Sequence, residues 1–362
     1  MTYGAEALDL TPTQYEDAVQ KYQAVGAWLN KPDSPLAAAD PLVYPQGSIA
    51  IGTATKPVGR DEFDLDLVCQ LQLGDSISPT QLKRAIGQRL RENAVYRERL
   101  EEKNRCWRIV YAGDFYMDIL PGRPDPRFAE NTALLIPDKE LSAWKESDPK
   151  GYAAWFTERS RLSMLASKGV RAGVESPPPA PDASTKSPLQ VAVQIFKRHR
   201  DLSLGDDEDA PISIIITTLA ARAYVGHDSV YDTLQHLLMR MPTFIETDGA
   251  GNSVVSNPVN PLENFADKWQ GNPRKRQRFF DWIQAASHQL NKLAGATLPQ
   301  AVEALTPLIG ERPGTEAVRR YGSSVNEQRT AGLRAAAATG ALGAASARAR
   351  VIPTQTFFGR PS

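Results

Sequence analysis

Cysteine is almost absent from this chain of 362 residues: Cys69 and Cys106 are the only two, and neither sits in a Cys-x-x-Cys pair or beside a histidine. That excludes a disulfide framework and a zinc knuckle as organising devices. The 4 histidines, His199, His227, His236 and His288, are scattered. No run approaches the roughly twenty apolar residues of a membrane span, and no apolar core of signal-peptide type opens the sequence. Charge of one sign is also lacking, since 42 basic side chains balance 42 acidic ones and no net field draws the protein to nucleic acid or an anionic membrane. The expectation is a reduced, cytoplasmic, soluble protein in which any nucleic-acid or nucleotide contact must come from a local patch. Its length exceeds what one hydrophobic core usually absorbs, which implies a two-lobed globule.

What is present falls into two halves. TPTQYEDAVQKYQAVGAWLN, residues 11–30, opens on a threonine cap and carries apolar residues at helical spacing. Residues 41–53 read as a strand, a Gly47-Ser48 turn and a short continuation. Residues 62–71 alternate in period two, with Phe63, Leu65 and Leu67 on one face and Asp64, Asp66 and Val68 on the other. Residues 80–90 are a helix, which RENAVYRERLEEKN continues or follows with a second. CWRIVYA (106–112) and FYMDIL (115–120) form a hairpin around Gly113-Asp114, with Asp118 inside its second strand. From Asp138 the helical pattern dominates: two helices broken near Asp148-Pro149, a Pro/Ser/Ala-rich loop over 173–187, and helices over 189–202, 211–226 and 229–241. Residues 242–261 read as an irregular Gly/Asn-rich loop, followed by two or three helices to about Arg320. The fold class is therefore α+β, a small mixed or antiparallel sheet lobe facing a helical lobe with a ligand cleft between them.

Buried like charges are expensive unless a partner offsets them. Asp64, Asp66 and Asp118 lie in otherwise apolar strands, and magnesium or manganese, which take oxygen ligands and bridge carboxylates to phosphates, would satisfy them. Gly47 lets backbone approach a phosphate, and Ser48 adds an amide and a hydroxyl. Each signal alone has a plainer reading, an ordinary turn or a solvated strand face; their combination points to two-metal phosphoryl transfer.

In this order PQGSIAIGTATKP, EFDLDLVC, FYMDILPG, QIFKRHRD and PISIIITTLA resemble the nucleotidyltransferases of the DNA polymerase β-type superfamily. Within it they are most similar to the bacterial cyclic-oligonucleotide synthases, the CD-NTases of anti-phage CBASS operons related to cyclic GMP-AMP synthase. The resemblance implies a polymerase β-like fold with a catalytic lobe over 1–170, a loop over 171–188, a helical lobe over 189–327 and a weakly ordered tail over 328–362. It implies that Gly47 and Ser48 hold the donor triphosphate and that Asp64, Asp66 and Asp118 bind two magnesium or manganese ions, Asp118 also helping to deprotonate the acceptor hydroxyl. Lys197 and Ser213 match residues that face the phosphates; alternatively Lys197 belongs to a solvated helix face in KRHRD, and Ser213 caps a helix after Pro211. The implied reaction condenses nucleoside triphosphates into a cyclic di- or trinucleotide that activates a separate effector. The Cys/His cluster of the animal relatives' DNA-binding thumb is missing, so no zinc-dependent DNA binding is expected.

The tail is rich in alanine, glycine and arginine, which implies weak order, a nascent helix and an extended end. Phe357-Phe358 suggests either a motif for an accessory protein of the operon or an aromatic pair docked back on the helical lobe. Two rivals stand beside the synthase: a transferase of the same fold acting on an RNA end, a small molecule or a protein, and a binding protein that has lost catalysis.

Overall fold

The computed structural model describes the chain apart from residues 1, 57–62, 113–114, 129–131, 141 and 163–185; beyond residue 330 it describes only three short strands. The expected loop over 173–187, apart from its last two residues, and the Phe357-Phe358 pair therefore lie outside the described residues, as does the Gly113-Asp114 turn.

The sheet is built from β1 (Leu42–Pro45), β2 (Phe63–Gln70), β3 (Leu100–Glu102), β4 (Trp107–Tyr111), β5 (Phe115–Pro124), β6 (Leu134–Asp138) and β7 (Ala143–Ser147). Its order is β1-β2-β5-β4-β3, with β6 attached to β5 and β7 to β6. Only β2 and β5 run parallel; the other pairs are antiparallel, so the sheet is mixed. Period-two alternation buries Phe63, Leu65 and Leu67 under the helices Pro12–Leu29 and Pro79–Glu92, which contribute Val25, Leu29, Leu82 and Ile86 to the same core. Both helices start with a capping box, Thr11 with Gln14 and Ser78 with Gln81, and each has proline in its first turn. The opposite face of β2, carrying Asp64 and Asp66, is left toward the cleft.

The second core is helical. Pro188–Leu204, Ser213–Ala223, Val230–Arg240 and Pro273–Ala294 pack around Phe196, Leu219, Leu237 and Trp282. The first residues of the chain also belong here: Ala5 and Leu8 are buried in this core, and Glu6 pairs with Arg320 at 2.6 Å. So do Tyr152 and Phe156 of the helix Pro149–Ser160. The two cores thus interleave along the chain within residues 1–170. Among the described residues no helix is long and apolar enough to cross a membrane.

Several sequence readings are corrected. Of the two helices expected around Asp148-Pro149 only the second forms; its predecessor is β7, whose AWKES segment pairs with β6 from Leu134↔Ser147 to Asp138↔Ala143. Alanine, lysine and glutamate favour helix locally, but ladder pairing to a buried neighbour overrides that preference. RENAVYRERLEEKN breaks at Asn93, whose side chain caps the short helix Ala94–Arg97, and its end becomes β3. The continuation after Gly47-Ser48 is a helical turn, Gly47–Ala50. The supposed irregular loop over 242–261 contains a 3-10 turn and two hairpins, Glu246–Thr247 with Ser253–Val254 and Ser256–Asn257 with Asn260–Asn264. The nascent helix of the tail is replaced by the end of Glu311–Thr330 and then by antiparallel pairing of Arg334–Ala336 with Leu342–Ala344 and Arg350–Val351.

One packing contact ties helix to sheet. Trp107 of β4 donates its indole N–H to the Lys83 carbonyl at 2.8 Å, and its ring lies where a Cβ on Gly87 would stand, 2.1 Å from the nearest ring atom. Gly87→Ala is therefore expected to destabilise the protein by about 1–3 kcal/mol through overpacking, against the usual gain of alanine inside a helix. Denaturant unfolding measures this, and an unchanged or raised midpoint would contradict it.

Candidate active site

Backbone pairing sets the site. β2 and β5 register Asp66 opposite Asp118 and Asp64 opposite Tyr116, and β4 registers Arg108 opposite Asp118 on the other side. Parallel pairing therefore brings three carboxylates into one patch that no local sequence contact would assemble.

Gly47 lies against them. The Gln46 N–H donates to the Asp66 carbonyl at 2.8 Å, continuing the β1–β2 ladder, and the chain then turns with Gly47 at φ +61°. A Cβ at Gly47 would lie 2.3 Å from Asp66 Oδ2. Both the backbone conformation and the close carboxylate demand glycine here.

The cleft between the lobes has a volume of about 740 Å³ and is lined by Gly47, Ser48, Asp64, Asp66, Lys197 and Ser213. Asp118 is not among its lining residues. Instead Arg108 grips it in a fork, Nε to Oδ1 at 2.7 Å and Nη2 to Oδ2 at 2.8 Å, and reaches Asp64 Oδ1 at 3.4 Å. As the side chains stand, no group of three or more His, Cys, Asp or Glu among the described residues converges closely enough to hold a metal ion.

The electrostatics follow from this crowding. Burial, reinforced by Asp64 and Asp118, pushes the Asp66 carboxyl up to about 7. Asp64 is more open, with its side chain 61 % exposed; desolvation by the cleft walls raises its pKa while Arg108 opposes the shift. Burial, then the neighbouring Arg200, draws the Lys197 ammonium down to about 8, against the pull of Asp201, Asp66 and Asp64.

Lys197 is only 9 % exposed, which removes the solvated-face reading. Its Nζ donates to the Thr53 carbonyl at 3.0 Å. In the same helix Gln190 donates to the Ile51 carbonyl at 3.0 Å and Gln194 to the Ala54 carbonyl at 2.7 Å. The spacing from 190 to 194 to 197 is one helix face, so a polar row of the helical lobe docks on the backbone that leaves the Gly47-Ser48 turn. Ser213 is the first residue of its helix; Ile212 occupies the cap position, and no side chain caps that end. The Ser213 hydroxyl accepts from Arg200 Nη1 at 2.9 Å, which places a second cation on the cleft wall.

Arg108, Gln190, Gln194 and Arg200 were not identified from sequence. Arg108 was legible only once the β4–β5 register was known; the glutamine row carries a helical spacing but no chemical signature.

Comparison with known proteins agrees with this architecture. The Second Messenger Oligonucleotide or Dinucleotide Synthetase domain matches residues 5–160. A c-di-GMP synthase from Roseivirga ehrenbergii is 32% identical over 362 residues, covering 98% of this chain and 95% of the relative. The structure of the Bradyrhizobium diazoefficiens CD-NTase CdnG in complex with GTP superposes with a TM-score of 0.72 at 25% identity, covering 89% of this chain and 98% of that one. The structure of the E. coli MS115-1 CdnC:HORMA-deltaN complex, at 15% identity and a TM-score of 0.62 over 85% of this chain and 95% of the other, shares the fold. With a mixed sheet that carries its aspartates into an interlobe cleft, this chain belongs to the CD-NTase family of bacterial nucleotidyltransferases.

Proposed function

We propose that the cleft condenses nucleoside triphosphates into a cyclic dinucleotide, with GTP among the substrates. The observation that carries this reading is the placement of Asp64 and Asp66 on one strand face over the bare Gly47 turn, in register with Asp118. The relatives' names, c-di-GMP synthase and a CD-NTase in complex with GTP, support the substrate class. In each of two steps a ribose hydroxyl oxygen bonds to an α-phosphorus, the bond to pyrophosphate breaks, and the hydroxyl proton leaves to a carboxylate or water. The second step closes the ring.

The donor set fits a hard divalent cation. Asp64 and Asp66 offer oxygens from one strand face, the Asp66 carboxyl feels Lys197 and Arg108 too weakly to offset its burial, and Gly47 leaves open the space beside it that a side chain would fill. Asp64, Asp66 and Asp118 would hold magnesium or manganese, two ions in this reading, which supply charge neutralisation to the triphosphate when bound. Arg108 now neutralises Asp118, so that carboxylate joins the site, or takes the acceptor's proton, only as the guanidinium yields. Gly47 and Ser48 hold the donor phosphates, and Lys197 and Arg200 approach them from the helical lobe, Arg200 through the same contact that orients Ser213. The protein contributes position and charge, with little covalent chemistry of its own.

Within the cell the product serves as a second messenger in anti-phage CBASS signalling, made from cytoplasmic nucleotides and sensed by a separate effector. Accessory proteins bind through the C-terminal tail. A fold neighbour captured in complex with HORMA-deltaN supports partnership with a second protein in this family.

Three outcomes test the reading. Purified protein given GTP and other triphosphates, singly and in pairs with magnesium or manganese, is expected to yield a phosphatase-resistant cyclic product by mass spectrometry, and Asp64→Ala with Asp66→Ala to yield none; persistent product in the double variant refutes the site. The folded pKa of Asp66, about 7, lies above the ordinary 3.8, so its contribution to stability is present below about pH 4 and lost as pH rises through 7. In chelator, Asp66→Asn should therefore melt above wild type at about pH 8, with the gap closing toward about pH 4; a gap independent of pH contradicts this. Finally, Arg108→Ala is expected to strengthen Mn2+ binding to the nucleotide-free protein roughly tenfold, read by electron paramagnetic resonance, because a charged hydrogen-bonded competitor is removed; equal or weaker binding counts against Arg108 as a competitor for Asp118.

A further inference from the structure

Two of the 4 histidines, scattered along the sequence, are brought together by the fold, and neither lines the cleft. His227 lies in the connection between the helices Ser213–Ala223 and Val230–Arg240, and His236 lies on the second of them. Their ring centroids stand 4.7 Å apart, with the planes at 52°. Ser213 opens the first helix on the cleft wall, and the histidines meet at its other end. That helix has 11 residues, so about 15 Å of it separates the pair from the cleft.

Local chemistry sets both rings. Gly226 turns the chain at φ +92°, and a Cβ there would lie 3.2 Å from the Leu162 backbone, so the turn into His227 demands glycine. The hydroxyl of the buried Tyr224 donates to the His227 carbonyl at 3.1 Å. The His236 ring donates to the carbonyl of Ala223, the last residue of its helix, which leaves the second ring nitrogen as an acceptor. His227 Nδ1 is buried and has no hydrogen-bond partner among the described residues. An imidazole that gives one nitrogen to a backbone carbonyl and keeps the other free is held as metal-ligating histidines are held, and an orphaned nitrogen on its neighbour lacks what a cation would supply.

We propose that His227 and His236 together bind a divalent ion of the zinc class, which staples the connection between the two helices to Val230–Arg240. Two imidazoles on one such ion, with bonds of about 2.0–2.1 Å at a square or tetrahedral angle, put their centroids roughly 4.5–5 Å apart, the separation these rings already have. Magnesium and calcium prefer oxygen ligands, so this pair and the cleft carboxylates select different ions. Among the described residues no third His, Cys, Asp or Glu joins the pair, and water completes the coordination. Arg240 acts on the His236 ring and repels a cation there. Open positions and a nearby like charge make the ion exchangeable, unlike a closed structural zinc. The site stands apart from the nucleotidyl-transfer reading and survives its failure.

The test is titration calorimetry of the full chain, free of any histidine tag, with zinc chloride. Wild type and the variant carrying Asp64→Ala with Asp66→Ala are expected to bind zinc alike at this site. His227→Ala and His236→Gln should bind it roughly tenfold or more weakly. Glutamine keeps an amide that can donate to the Ala223 carbonyl while the imidazole is lost, so the metal-free melting curve of His236→Gln should stay near that of wild type. Zinc should raise the melting temperature of wild type and leave both histidine variants unmoved. Copper(II), used as a probe of the double-aspartate variant, should show coupling to two imidazole nitrogens by electron paramagnetic resonance, a readout that stands even where a histidine variant fails to fold. No zinc binding, or equal binding by wild type and both histidine variants, overturns the proposal. So does loss of binding in the double-aspartate variant, which would place the ion in the cleft.

Discussion

The parallel pairing of β2 with β5 is the constraint on which the rest of the molecule depends. It sets Asp66 beside Asp118 in a sheet whose other face is apolar core, and burial, reinforced by Asp64 and Asp118, raises the Asp66 pKa. The sheet can hold them because the apolar side chains between them, Phe63, Leu65 and Leu67, are sealed beneath two capped helices. It accommodates the charge by placing cations at the edges of the patch. Arg108 comes from the neighbouring antiparallel strand, and Lys197 and Arg200 come from the opposite lobe. Removal of the cations would raise the pKa of Asp64 and of Asp66 further, since Arg108 and Lys197 lower both.

The helix Pro188–Leu204 transmits this arrangement between lobes. Its apolar residues belong to the helical core, whereas Gln190, Gln194 and Lys197 bond to carbonyls of residues 51–54. Those carbonyls follow directly on the Gly47-Ser48 turn. The helical lobe thus grips the backbone just after the Gly47-Ser48 turn through its carbonyls. Thr2–Glu6, tied to Arg320 through Glu6, fastens the start of the chain to the same lobe.

The sequence made the chemical centre more legible than its setting. A glycine-serine turn, an Asp-x-Asp inside an alternating strand and a third aspartate in a later strand are local patterns, and each residue type is constrained by charge or by a positive φ. Long amphipathic helices were readable for the same reason. What escaped was everything decided by pairing across distance. AWKES carries helix-favouring residues yet lies in a sheet because β6 offers a ladder, and the hairpins within 242–264 have only two to five residues per strand, too few for an alternation to register. Arg108 has no local signature at all; it matters because the register places it opposite Asp118.

This division has a physical basis. Residues fixed by charge or by backbone conformation leave an imprint on short stretches of sequence. A short hairpin is fixed instead by a few hydrogen bonds, Asn257 accepting the Val259 N–H and donating to Glu263. The hairpin is nonetheless tied to the helical core, which holds Val255 and packs against Val259 and Phe265. The aspartates are held by the β2–β5 ladder, where a slip of one residue would turn both into the core.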